Sequence, residues 1–237
     1  MKKVLFTLVC IFALTIGSVG AKAETTGVYV APKFLMMWQN NQFNAETNIA
    51  GTRGPWGEMF NSQFTMGGAL AIGYDFFPKH QIPIRAELEF AMRGDNKKSY
   101  GENNGGRAGE LKSLTNASTL MANFFYDFHN DSDFTPYITA GAGIAFIRVE
   151  NKVYTYGPEL KWMDESDNFT NFAWNIGAGM AYNINENIAV DLGYRYVNMG
   201  NVSMSGSRTL PGGAKVNYES DNYISNHEIA LGVRFTF

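Results

Sequence analysis

Within residues 227–237 the polarity alternates at every step from Glu228 onward. Ile229, Leu231, Val233, Phe235 and Phe237 are apolar, and Glu228, Ala230, Gly232, Arg234 and Thr236 between them are small or polar. Successive side chains of a strand point to opposite faces, so this stretch has one apolar face and one polar face. Seven earlier segments repeat the pattern, near 27–38, 62–77, 82–94, 116–128, 134–150, 170–184 and 187–200. A period of two held this long specifies strands that can cross a bilayer, which takes about 9–11 residues; soluble strands average about 5–6.

The two parities differ in kind. One carries Phe34, Leu70, Ile72, Leu88, Phe90, Leu120, Phe124, Ile138, Ile176, Leu192 and Leu231. The other carries Lys33, Asp75, Arg85, Glu87, Glu89, Arg93, Asp127, Asp191, Arg195, Glu228 and Arg234, interspersed with glycine and alanine; Met121 and Phe125 are its exceptions. A soluble sandwich would show this second parity to water, where so many glycines are unusual. In a narrow membrane barrel it faces the lumen, and small residues make room for long charged ones. Five basic and six acidic groups nearly balance, which predicts a salt-bridge network across the lumen rather than a channel lined by one sign of charge. Pro32 lacks an N–H and requires a bulge or a seam position.

Connection lengths give an independent constraint. Residues 78–81, 129–133 and 185–187 are short links, and 39–61, 95–115, 151–169 and 201–225 are long ones, in strict alternation. The expected fold is therefore all-β: an eight-stranded antiparallel up-and-down transmembrane β-barrel with short periplasmic turns and four long extracellular loops. Lys2 and Lys3, the apolar run 4–16 and Ala21-Lys22-Ala23 read as a secretory signal peptide over residues 1–23, leaving a barrel domain over 24–237. The single cysteine, Cys10, falls in that leader, so the exported domain uses no disulfide. Of 19 basic residues, Lys2, Lys3 and Lys22 leave with it, and the 22 acidic residues then outnumber the remaining 16, which argues against a nucleic-acid partner.

The Pro136–Gly143 strand, Gly177-x-Gly179, Asp191-Leu192-Gly193-Tyr194-Arg195-Tyr196 and Phe237 resemble the eight-stranded outer-membrane β-barrel superfamily: OmpA-like transmembrane domains, OmpX-like proteins and opacity-type surface porins. The resemblance implies a non-enzymatic surface antigen in a Gram-negative-type outer membrane. Its loops would meet envelope, host or extracellular ligands, with adhesion among the roles. It implies outer-membrane lipid and lipopolysaccharide, the barrel-assembly machinery and periplasmic chaperones as partners, with Phe237 and Phe235 as the assembly signal. OmpA continues into a peptidoglycan-binding domain, and the sequence ends at the barrel, so that anchoring role is not carried over. A small-solute porin and a lipid A-modifying enzyme are the alternatives.

Candidate chemistry is sparse. Ser225 and His227 share a face, the minimum for a nucleophile–base pair, but the reading adopted for them is a polar interfacial pair at a loop–strand junction; His80 and His129 fall in periplasmic turns. Asp164, Glu165 and Asp167 lack the glycine and ligand spacing of a calcium loop. No catalytic, cofactor or metal residue is assigned. Trp38, Tyr74, Tyr126, Trp174, Tyr182 and Tyr194 sit near strand ends on the apolar parity, as an interfacial aromatic girdle does.

Overall fold

A computed structural model of the chain describes residues 26–49, 52–104, 107–155, 160–209 and 215–237. The leader expected over 1–23 lies outside them. The described residues form nine antiparallel strands: β1 (Val28–Ile49), β2 (Thr52–Asp75), β3 (Ile84–Arg93), β4 (Asn96–Asn104), β5 (Arg107–Asp127), β6 (Phe134–Thr155), β7 (Leu160–Asn185), β8 (Ile188–Thr209) and β9 (Lys215–Thr236). One helical turn, α1 (Phe77–His80), follows β2. β3 and β4 both pair with β5 and are one stave interrupted at Gly94-Asp95. The break is stitched by Asn116 Nδ2, which donates to the Arg93 carbonyl at 2.9 Å and to Asp95 Oδ1 at 3.1 Å. The ring runs β3-β2-β1-β9-β8-β7-β6-β5, and the β3–β5 pairing closes it into eight staves. Closure leaves no unpaired edge inside the bilayer, which is what a spanning sheet requires. Pro32 lies where the β1–β9 ladder skips from Val30↔Phe235 to Lys33↔Gly232, so its missing N–H costs no ladder bond there.

The short links form one end, taken as periplasmic. The tightest is an Asx turn: Asn185 Oδ1 accepts the backbone N–H groups of Asn187 at 2.9 Å and Ile188 at 2.8 Å. At the other end the long connections are strand rather than irregular loop. The β1–β2 ladder continues to Ile49↔Thr52, β4–β5 to Asn104↔Arg107, β6–β7 to Thr155↔Leu160 and β8–β9 to Thr209↔Lys215. Strands are accordingly 21–26 residues long around most of the ring, about twice what the bilayer needs.

The outward parity is apolar between two aromatic levels. Near the periplasmic end Tyr74 packs on Phe76, Tyr126 on Phe128 and Phe134 on Tyr182. Ten residues further along β1, Trp38 packs on Phe64, and Trp174 on Tyr196. Ten residues rise roughly 33 Å along a strand, or about 25 Å once tilted, the height of an outer-membrane apolar band. Beyond the outer level the pattern inverts. Ile147, Val149, Val197, Met199, Val202, Met204 and Ile224 point inward and are buried, while Arg148, Ser203 and Ser205 face out and are exposed. The inversion marks where the wall leaves lipid and meets water.

Above that level the wall also splits. β2–β3 pairing ends at Gly67↔Arg93 and β7–β8 pairing at Trp174↔Asn198. The β2-β1-β9-β8 ladders and the β4-β5-β6-β7 ladders continue outward as two separate four-stranded sheets.

Candidate functional site

The lumen is where the sequence places its charge, and ten charged side chains are ion-paired there. Six form a continuous chain. Lys33 bridges Glu87 and Glu89, the second at 2.7 Å; Arg195 bridges Glu89 at 2.7 Å and Glu228 at 2.9 Å; Arg93 reaches Glu228 at 2.6 Å. β3 and β8 are four staves apart in a ring of eight, so Glu89–Arg195 spans the full diameter. The other four form a second group toward the periplasmic end. Arg85 holds Asp127 through two bonds, at 2.6 and 2.8 Å, and Asp191 lies 3.7 Å from Arg85 and 3.9 Å from Arg234. Phe125 separates the groups: the Arg85 guanidinium lies 4.6 Å and the Lys33 ammonium 5.7 Å from its ring centre. Neutral donors join in, with Tyr29 Oη and Asn123 Nδ2 each 3.3 Å from Glu87 and Asn226 Nδ2 3.1 Å from Glu228. The ten groups carry five charges of each sign, so each is compensated by neighbours rather than by a surplus field.

Asp75 departs from the sequence expectation. It lies at the periplasmic end of β2, where its Oδ1 accepts the backbone N–H of Phe77 at 2.9 Å. Among the described residues it has no ion pair. Its parity matches the lumen group, but its position at the strand end places it on a turn.

The inward glycines have a sharper reason than making room for charge. A Cβ on Gly73 would lie 2.3 Å from the Tyr29 ring, and one on Gly179 2.4 Å from the Tyr137 hydroxyl. Both tyrosines are buried in the lumen and face arginines, Tyr137 across 5.2 Å from Arg85 and Tyr29 across 5.7 Å from Arg234. The cavity left among these groups, lined by Tyr29, Lys33, Arg85, Glu87, Tyr137 and Asp191, has a volume of about 40 Å³, room for a few water molecules at most.

Sequence reasoning missed the layer above. Ile147, Val149, Val197, Met199, Val202, Met204 and Ile224 pack with Met121 and three alanines into one apolar cluster, with Phe169 against it. It begins two residues outward of Arg195 on β8 and four outward of Glu228 on β9. The signal was present as the phase inversion in Ile147-Arg148-Val149.

The remaining candidates are dispersed. Ser225 is buried and His227 half-buried on the outer wall. His227 Nδ1 lies 2.6 Å from the Tyr194 hydroxyl, and its ring packs against Tyr196. His80 and His129 are exposed at the periplasmic end, His129 stacked on Phe77 at 3.6 Å. Among the described residues no cluster of His, Cys, Asp or Glu could hold a metal. Asp167 is exposed, while the side chains of Asp164 and Glu165 lie outside what is described. Trp38, Tyr126, Trp174, Tyr182 and Tyr194 are exposed on the outer wall and Tyr74 is partly so. Phe237 donates its backbone N–H to the Val28 carbonyl at 2.9 Å, so its backbone lies at the β1–β9 seam.

The model of the outer membrane protein beta-barrel domain family matches residues 6–237. The chain belongs to that family. Outer membrane protein PagN of Salmonella typhimurium is 30% identical over 247 residues, covering 98% of this chain and 99% of PagN. A Rickettsia conorii protein named as an adhesin, RC1281, is 23% identical over 74% of this chain and 68% of its own length. Among solved structures, OprG of Pseudomonas aeruginosa superposes with a TM-score of 0.53 at 14% identity, covering 90% of this chain and 98% of OprG. This family member is an eight-stave barrel of a Gram-negative outer membrane, with the apolar wall in lipid and the charged parity inside.

Proposed function

We propose that this barrel is a non-enzymatic surface protein whose outer strand ribbons bind host or extracellular ligands, and whose lumen is closed to solutes by its ion pairs and the apolar cluster above them. The observation that carries the reading is where the chain spends its length. Strands run about twice the bilayer thickness and build two sheets outside it, while the interior is filled by ten paired charges and buried Tyr29, Tyr137 and Phe125. A pore-former would hold its lumen open and lined by unpaired polar groups. The adhesin name carried by the Rickettsia relative supports the same direction. The Tyr194 hydroxyl at His227 Nδ1 favours a structural part for that histidine over a catalytic one.

The test is attachment. A non-adherent Gram-negative laboratory strain displaying the protein should bind cultured epithelial cells above an empty-vector control. Shortening the ribbons over 43–61, 97–113, 151–165 and 205–219 should remove the gain while the boiled-versus-unboiled gel shift persists. Attachment no greater than the control would refute the adhesion reading.

A further inference from the structure

We infer that the outward face of β7, β8, β9 and β1, where the wall leaves lipid, is a binding site for the sugar headgroup of a glycolipid in the outer leaflet. Attachment to cells plays no part in this site, which faces sideways along the membrane.

The outer aromatic level is lopsided. On β2, β3, β5 and β6 the last outward apolar side chains before the pattern turns polar are Phe64, Met92, Leu120 and Phe146, none of which carries a hydrogen-bonding group. On the other four staves, which are consecutive in the ring, that level holds Trp38, Trp174, Tyr194, Tyr196 and His227, with Tyr223 just beyond. A girdle that only sets the height of the barrel has no reason to gather its polar rings on one half.

The rings form one continuous surface. Tyr194 and His227 lie 24° from parallel with centres 6.1 Å apart, Tyr196 is 5.3 Å from His227, and Trp174 is 5.7 Å from Tyr196. Trp38 is the cross-strand neighbour of His227. Hydrogen bonds among them leave donors over. Tyr194 Oη and His227 Nδ1 are 2.6 Å apart. If the hydroxyl donates, the neutral imidazole carries its proton on Nε2 and that N–H is spare; if Nδ1 donates, the Tyr194 O–H is spare. The Tyr196 and Tyr223 hydroxyls are 3.1 Å apart, and Asn198 Nδ2 donates to Tyr223 Oη. Of the two O–H protons one joins the tyrosines, so the other is unspent whichever way that bond runs. The backbone aims this group: Asn198 Oδ1 accepts the Gly200 N–H at 2.8 Å, at the bulge where Gly200 takes φ 78°.

Charge and height select the occupant. Among the described outward side chains of these four staves from this level outward, Asp221 is the only Asp, Glu, Lys or Arg, and it is bonded to Ser203 Oγ. Asp167 of β7 has the parity of Phe169, which packs inward. On the neighbouring β6, Arg148 is outward but paired with Glu150 at 2.7 Å. The face therefore offers no unpaired cation to a phosphate. Aromatic faces with spare O–H and N–H donors instead match the C–H groups and hydroxyls of a sugar ring. Aromatic belts lie at headgroup height, so an outer-leaflet lipid brings its headgroup against this patch without leaving the bilayer. Its acyl chains would run down the apolar wall below, past Ile176, Leu192 and Leu231.

The test uses purified barrel in a neutral detergent and counts the lipid it retains by native mass spectrometry. The probes are lipopolysaccharide lacking O-antigen, the same lipid stripped of its phosphates, and phosphatidylglycerol. Both glycolipids should be retained to a similar extent, and phosphatidylglycerol should not. Tyr196→Phe with Tyr223→Phe keeps both rings and removes the hydroxyls, so it should weaken glycolipid retention at least about fivefold with an unchanged boiled-versus-unboiled gel shift. Met92→Leu with Phe146→Leu, at the same level on β3 and β6, should leave retention unchanged. Retention that is lost with the phosphates, or that phosphatidylglycerol shares equally, overturns the sugar site. A tyrosine pair that retains glycolipid like the wild type, or an equal loss from the Met92 and Phe146 pair, overturns its location on these four staves.

Discussion

Replacing Glu228 by glutamine should destabilise the barrel more than any other single charge removal in the lumen. Glu228 is fully buried and accepts from Arg93 Nε at 2.6 Å, Arg195 Nε at 2.9 Å and Asn226 Nδ2 at 3.1 Å. Glutamine keeps the volume and one acceptor oxygen but removes the charge. Arg195 would retain Glu89, whereas Arg93 would be left with the Thr119 hydroxyl at 3.0 Å. Breaking a buried pair by deleting one partner costs about 3–5 kcal/mol, because the survivor stays buried without compensation. With one acceptor kept, the lower end, about 3 kcal/mol, is expected. Tryptophan fluorescence during urea unfolding in lipid vesicles reads this directly. Glu228→Gln combined with Arg93→Met should be at least about 1 kcal/mol better than the sum of the single changes, since it removes the stranded cation. Asp75→Asn, which keeps an acceptor for the Phe77 N–H, should stay within about 0.5 kcal/mol. A Glu228→Gln barrel within about 1 kcal/mol of wild type would mean that these groups are hydrated and independent, and the pairing argument would fail.

The wall makes its own predictions. Leu192→Arg and Ile176→Arg place charge on exposed mid-strand positions of the lipid face and should each cost about 2–4 kcal/mol in the same unfolding assay; a smaller loss than that of Glu228→Gln would still fit, but no loss would place this face in water. Gly179→Ala should cost about 1–3 kcal/mol by driving a methyl into the Tyr137 hydroxyl, and adding Tyr137→Ala should relieve part of the clash; additive losses would show that the contact is relaxed. Phe237→Ser should lower the yield of folded barrel in cells far more than Phe235→Leu, as measured by gel shift, and equal yields would remove the assembly role from Phe237.

Much of this architecture is legible in the sequence because the bilayer enforces it. Lipid requires Leu70, Leu88, Ile138, Ile176 and Leu192 on one parity, so strand count, facing and the alternation of short and long connections follow from local pattern. What was not legible depends on which staves lie opposite one another. That Glu89 meets Arg195 across the full diameter, while Asp75 meets a turn, is set by ring order and stagger, which periodicity does not encode. The long connections looked irregular because their alternation inverts on leaving lipid: Ile147 and Val149 turn inward just where the lower strand has Gly141 and Gly143 inward. Reading the inversion as a membrane exit, rather than as the end of the strand, recovers both the ribbons and the apolar cluster. The break at Gly94-Asp95 is different in kind, since it depends on Asn116 from a neighbouring strand.

Closure of the lumen is the claim on which the surface-protein account turns, and conductance measures it. Purified barrel inserted into planar bilayers should be silent or show only rare, small openings, because the Glu89–Arg195 bridge crosses the diameter and the apolar cluster lies above it. Stable open conductance on the order of hundreds of picosiemens from the wild-type protein would contradict the account, since a filled eight-stave interior has no room for such a path.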